Sequence, residues 1–276
     1  MQKLTGNNSL ARSQSTDQHL LAPYFLNIQW RCFKQIMSRT LKQFLPSGLL
    51  VVAGKMRAAS RQRRVELARQ KRIKSYLETH KIRKLQLGSS NNILENWLNT
   101  DLYQCREEVV PLDVRERFPF DESTFDYIFC EHMIEHLKYH EGMDMLRECF
   151  RVLRPGGRIR LSTPNLRFLI ELYNSEKTEL QEQYISWAVN EFLPDTGNYE
   201  DVFVINNFFR AWGHKFIYDS KALHGAMHRV GFTNTTNCKV GESEDQNFQG
   251  IERHNQMIPA EFNELETFVL EGVKPV

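Results

Sequence analysis

VPLDVRERFPFDESTFDYIFCEHMIEHL, residues 110–137, and LRECFRVLRPGGRIRLSTPN, residues 146–165, hold the pattern that decides the fold class. Two short apolar runs, Val109 to Leu112 and Tyr127 to Cys130, each end in acidic or polar residues. An amphipathic helix, Glu141 to Leu153, follows, then a Gly156-Gly157 turn and a further strand, Arg158 to Ser162. Short apolar strands alternating with helices imply parallel pairing in an open α/β sheet, where ligands sit beyond the carboxyl ends of the strands. Asp113, Glu131 and His132 stand at those ends.

Working outward, Leu85 to Leu87 is expected as the first strand and Trp97 to Asp101 as the second. After the quoted stretch, Ser220 to Val230 reads as a helix closed by Gly231, and Phe232 to Val240 and Thr267 to Val273 as closing strands. The expected architecture is a seven-stranded Rossmann-like sheet, mostly parallel and flanked by helices, with the last strand antiparallel.

The 276 residues carry a net charge of +2, and this average hides a split. Residues 1–84 hold 18 Lys/Arg against 3 Asp/Glu, and residues 85–276 hold 18 against 31. The chain is therefore read as a basic extension, 1–83, ahead of a domain, 84–276. Helices are expected over Ala22 to Phe44 and Ala58 to His80, broken at Pro46-Ser47-Gly48. Such an arm either lies on an anionic membrane or an acidic partner, or packs on the sheet as a helical layer. The acidic body disfavours nucleic acid, whose phosphates need a basic surface.

Five cysteines, odd in number and without a CxxC pair, point to a reducing compartment rather than a disulfide framework. The first twenty residues lack an apolar core, and the apolar run Leu49 to Gly54 is far short of the ~20 residues of a membrane span. The expected location is the cytoplasm, peripheral to a membrane if the arm binds one.

The first strand runs into Gly88-Ser89-Ser90-Asn91-Asn92, where a glycine permits close backbone approach and N–H groups can hold an anion. Asp101 ends the next strand, where an acid can accept both hydroxyls of a ribose. A dinucleotide fold would show GxGxxG with ~20 residues to its acid; here Ser90 stands for the second glycine and the gap is thirteen.

The pieces KLQLGSSNNILENWLNTDL, LDVRERFPFDESTFDYIFCEHMIEHL and LRECFRVLRPGGRIRLSTPN resemble a class I S-adenosylmethionine-dependent methyltransferase. The likeness is to the small bacterial type found among sugar and cell-surface polysaccharide genes. WGHKFIYDSKALHGAMHRVGF is similar to that family's last helix and its lead-in. The resemblance implies S-adenosylmethionine as cofactor, with Gly88, Ser89 and Ser90 facing its methionine part. It places Asp101 and Leu102 at the ribose, Asp113 and Val114 at the adenine, and Glu131 beside the methyl group. It also implies a small-molecule or saccharide acceptor. The family usually has a second glycine where this chain has Ser90.

Methyl transfer from a sulfonium needs in-line positioning and, for a hydroxyl acceptor, a base. His132 is the first candidate, with His136 and His214 beside it and Arg253-His254 able to reach the same pocket. His132 to His136 also matches the HxxEH zinc-protease pattern, but that motif works on a long helix, and here it follows a strand. The set His132, Glu135, His136 and His214 is similar to the divalent-metal cluster of some methyltransferases that act on vicinal hydroxyls, which usually have Glu where this chain has His132; no metal ligand is assigned. The function expected is O-methylation of a sugar or small polar acceptor; the alternatives are a catalytically degenerate scaffold or an RNA-directed methyltransferase.

Overall fold

A computed structural model of the chain describes residues 47–174 and 176–276. The helix expected over residues 22–44 lies outside the described residues. Contacts divide the chain into two compact units, 1–66 and 67–276. Helix α1, Ser47–Thr79, runs from the first into the second.

Seven strands form one sheet: β1 Lys84–Leu87, β2 Leu98–Asp101, β3 Val110–Pro111, β4 Phe125–Glu131, β5 Leu153–Pro164, β6 Thr233–Cys238 and β7 Thr267–Val273. Their order is β3-β2-β1-β4-β5-β7-β6. β7 alone runs against its neighbours, pairing antiparallel with β5 and β6, while β1 to β5 pair in parallel. This is the expected Rossmann-like sheet. The Gly-Gly turn is part of β5: Leu153 pairs with Phe125 and Arg158 with Tyr127, so Arg154 to Gly157 bulge from the ladder.

Side chains alternate across the strands, and the two faces are covered differently. Leu85, Leu87, Ile128, Cys130, Ile159, Leu161 and Leu270 join one core with helices α2, Tyr139–Val152, and α6, Ser220–Val230. Helix α2 contributes Met145, Leu146, Cys149 and Val152, at i, i+1, i+4 and i+7, which gives it a single buried face. On the other face Tyr127 and Phe129 meet Trp97, Phe248 and Ile251, so a loop covers the sheet there. A guanidinium fastens that loop. Arg160, wholly buried on β5, donates to Glu252 and Glu271 at 2.5 Å each and to the carbonyls of Glu242 and Lys239.

Between β5 and α6 the chain builds a second helical core. Helices α3, Leu166–Asn174, α4, Glu179–Phe192, and α5, Asp201–Arg210, pack around Phe168, Leu172, Tyr184, Val189, Val204 and Phe208, together with Phe262 of α7, Ala260–Glu266.

The last turns of α1 belong to the sheet's core. Ile73 and Tyr76 are buried in it, and the Tyr76 hydroxyl donates to the carbonyls of Lys84 and Asn96. A chain beginning at residue 84 loses both side chains and is expected to be less stable by about 3–6 kcal/mol, at about 1.5–3 for each buried apolar side chain. One beginning at residue 67 keeps them. Urea unfolding of the two truncations checks this; equal midpoints would remove α1 from the core.

Candidate active site

Strand order reverses between β1 and β4, and the carboxyl ends of both strands face the crevice this creates, the position where open α/β sheets bind ligands. After β1 the chain turns at Gly88, with φ +66°. A Cβ there would lie 2.5 Å from Met133 Cγ, so the loop after β1 and the turn after β4 touch where no side chain fits. Ser89 is buried, its N–H on the Thr100 carbonyl and its hydroxyl without a partner. Ser90 holds φ +44°, a left-handed conformation that glycine adopts more easily.

Asp101, ending β2, steadies this loop. Its Oδ2 accepts from Ser90 N at 2.9 Å and its Oδ1 from Tyr103 N at 3.2 Å. Leu102 is exposed beside it. Asp113, beyond β3, is held in a fork by Arg115, Nε to Oδ1 at 2.8 Å and Nη2 to Oδ2 at 2.7 Å. That hydrogen-bonded guanidinium outweighs partial burial and keeps its carboxyl below the usual carboxylate range. Val114 follows it, half-buried against the core.

At the end of β4, Glu131 acts as a clamp. Its two oxygens accept from the backbone N–H groups of Arg253 and His254 at 2.9–3.0 Å, and Asn92 donates to Oε2 at 3.2 Å. It thereby ties the last long loop to the loop after β1.

The three candidate histidines gather around Glu135, a wholly buried residue of the 3₁₀ turn Ile134–His136. His132 Nδ1 lies 3.5 Å and His136 Nε2 4.0 Å from Glu135 Oε1, while Thr163 donates to Oε2 at 3.0 Å. The rings of His136 and His214 meet edge to face with centroids 5.0 Å apart. His132, at φ +44°, stacks on His254 at 3.8 Å, and His254 faces Glu266 at 3.5 Å.

Hydrogen-bond directions set the tautomers. Thr267 gives its hydroxyl proton to Asn263 Oδ1, so it accepts from His132 Nε2 at 2.9 Å. A carbonyl only accepts, so His214 Nδ1 donates to Phe208 O at 2.7 Å and Nε2 keeps its lone pair. Burial drives His132 toward neutrality, but the Glu135 carboxylate, with Glu266 and Glu131, outweighs it and raises its pKa. Burial likewise favours the neutral acid of Glu135, yet His132 and His136 hold its pKa below the usual range. His214 is shifted down, by burial first, against the pull of the Phe208 carbonyl and Glu135. Each of Glu135 and His132 thus favours the charged form of the other, while burial favours the neutral form of His214.

Sequence reasoning reached the histidines but missed the residues that orient them: Thr163, Phe208, Asn263, Glu266 and Thr267. Nothing in the local pattern marks these; they enter from β5, α5, α7 and β7. The Phe-rich run Val202 to His214 has a structural use, since Val204 and Phe208 are buried in the helical core, while Phe209 and Trp212 stay exposed.

Residues 90–161 match the model of a family described as a methyltransferase domain. Comparison with curated proteins gives no match. Among solved structures the chain is similar to an S-adenosylmethionine-dependent methyltransferase from Mesorhizobium loti, 13% identical with a TM-score of 0.44, over 70% of this chain and 90% of that one. It is similar to another from Archaeoglobus fulgidus, 16% identical with a TM-score of 0.41, over 76% and 94%. A third is phosphoethanolamine N-methyltransferase 2 from Haemonchus contortus, solved with phosphomonomethylethanolamine and S-adenosylhomocysteine. It is 12% identical with a TM-score of 0.39, over 71% of this chain and 49% of that one, so the chain spans about half its length. Likeness at this level says nothing of substrate.

The Glu131 clamp is open to test. Glu131→Ala removes a charged acceptor from two backbone N–H groups, a loss of about 1.5–3 kcal/mol for each such bond. Amide exchange at Arg253 and His254 should quicken at least tenfold while β4 and β5 stay protected. Unchanged exchange at both residues would show the loop to be held by other contacts.

Proposed function

We propose that this methyltransferase moves the methyl group of S-adenosylmethionine onto an oxygen of a sugar or another small polar acceptor, in the cytoplasm. The group around Glu135 carries the reading. Glu135, His132 and His136 follow β4 on the stretch matched as a methyltransferase domain, and His214, beyond that stretch, adds an imidazole nitrogen with a free lone pair beside the buried carboxylate. A hydroxyl must shed its proton as the methyl bond forms, and a positioned base contributes about 10²–10⁴-fold.

The residues at the crevice suit the cofactor. The buried Ser89 hydroxyl lacks a partner, and each oxygen of Asp101 has one backbone donor and so a lone pair to spare. In this reading Gly88, Ser89 and Ser90 receive the methionine part, Asp101 with Leu102 the ribose, and Asp113 with Val114 the adenine, where the exposed Arg115 first has to swing off the carboxylate. S-adenosylmethionine supplies an electrophilic methyl on sulfur. The chain positions the acceptor and keeps water away. Glu131, bound on both oxygens, builds the wall of the crevice. His132 has each nitrogen turned to a protein partner and serves as the counter-charge of Glu135; His136 and His214 receive the hydroxyl. The basic segment ahead of residue 67 is assigned to partner or membrane contact, with Lys55, Arg63 and Arg64 exposed on α1. Among the described residues no helix is long and apolar enough to cross a membrane.

Two measurements bear on these roles. Calorimetry should show Asp101→Ala binding S-adenosylmethionine at least tenfold more weakly, since a charge-assisted pair of hydrogen bonds is worth about 1.5–3 kcal/mol; an unchanged Kd in a folded variant removes Asp101 from the site. Incubation of the protein with deuteromethyl-labelled cofactor and a panel of saccharides should put the label on a hydroxyl oxygen, read by mass spectrometry. His214→Ala should lower that turnover by about 10²–10⁴-fold, with cofactor affinity within a few-fold. Label found on nitrogen or carbon would overturn the oxygen reading.

A further inference from the structure

Glu135 Oε1 is fully buried and accepts no hydrogen bond, with its nearest charged neighbours 3.5 and 4.0 Å away. A buried carboxylate oxygen whose nearest polar neighbours stand beyond good hydrogen-bond distance is under-satisfied, and native proteins seldom leave one without a use. Glu135, His136 and His214 each place one ligand atom within 4.8 Å of the others. Two of the three are also set from behind in the way ligands to metals are: Thr163 donates to the far oxygen of Glu135, and the Phe208 carbonyl takes the Nδ1 proton of His214, leaving Nε2 as the donor atom. His136, over a third exposed, leaves the group open on one side.

From this we infer that Glu135, His136 and His214 bind one divalent first-row transition cation. Two imidazoles and a carboxylate favour zinc-like or cobalt-like ions over magnesium or calcium, which prefer all-oxygen sites. Bonds of about 2.0–2.2 Å hold three donors roughly 3–3.5 Å apart, so the side chains close by an ångström or so. His132 is outside the ligand set: its Nε2 proton is spent on Thr267 and its ring is stacked on His254. The remaining coordination positions stay free for water or a ligand hydroxyl; with a cation bound, His136 and His214 are spent as ligands, so their role as base belongs to the cation-free protein. The inference rests on the arrangement of these side chains and not on the identity of the acceptor.

The test is a titration of the chelator-treated, full-length protein with Co²⁺ and Zn²⁺, followed by calorimetry and by the visible absorption of bound Co²⁺, with Mg²⁺ as control. One Co²⁺ or Zn²⁺ per chain is expected, and Mg²⁺ at least a hundredfold weaker. Glu135→Gln, nearly isosteric, and His136→Asn, at a half-exposed position, should each weaken Co²⁺ binding by at least tenfold; His224→Ala, on α6, should leave it unchanged. S-adenosylmethionine binding, measured on the same metal-free samples, confirms that the variants are folded and reports separately on the methyltransferase reading. Absence of Co²⁺ and Zn²⁺ binding in a protein that still binds cofactor overturns the cation site alone. Binding that survives both ligand substitutions overturns it as well, since the ion would then sit elsewhere.

Discussion

A whole positive charge lies inside the sheet, and the order of the site depends on how it is satisfied. Arg160 has no exposed surface, so its guanidinium must find partners within the protein, and desolvation makes any shortfall expensive. It finds them in Glu252, Glu271 and the carbonyls of Lys239 and Glu242, all but Glu271 from one irregular loop. Such an arrangement adds little net stability over a packed apolar core, but it allows one placement of the loop and penalises others. The next residues along that loop, Arg253 and His254, then reach Glu131 with their N–H groups, and His254 lies flat on His132. Position is thus handed from the middle of β5 to the imidazole at the end of β4.

The sheet was largely legible in the sequence, since it rests on local apolar alternation and on turn residues, both readable within ten positions. The strands ending at Asp101 and Glu131 stand within a residue or two of their expected places. Local pattern says nothing about which side chains meet across the chain. Arg158-Ile159-Arg160-Leu161 reads as a strand with one charged, solvated side, yet Arg160 is buried beneath a loop some eighty to ninety residues further on. The helical core of α3 to α5 was missed for a related reason. Its apolar residues are spread over three separate helices, none of which shows the shared core by itself.

The acids at the strand ends show the same limit. A carboxylate in that position attracts a ligand role, and Asp101 retains the lone pairs for one. In the structure Glu131 is bound by backbone amides and Asp113 by an arginine, contacts that the strand-end position does not reveal. The histidines were found by position, His132 at the end of β4 and His136 four residues further on. Their division of labour was not, because the proton on each ring is set by Thr267 and Phe208.

Gly88 has a consequence for anyone who would re-engineer the chain. Its missing side chain is the space that Met133 occupies, and its backbone turn is one that glycine alone adopts without strain. The loop after β1 and the turn after β4 are therefore a single graft unit. Transplanting either one from another scaffold brings a surface cut for a different opposite number, and the mismatch appears as a steric overlap forty-five positions away. Loop libraries on this sheet have to vary 88–92 and 131–136 together or leave both alone.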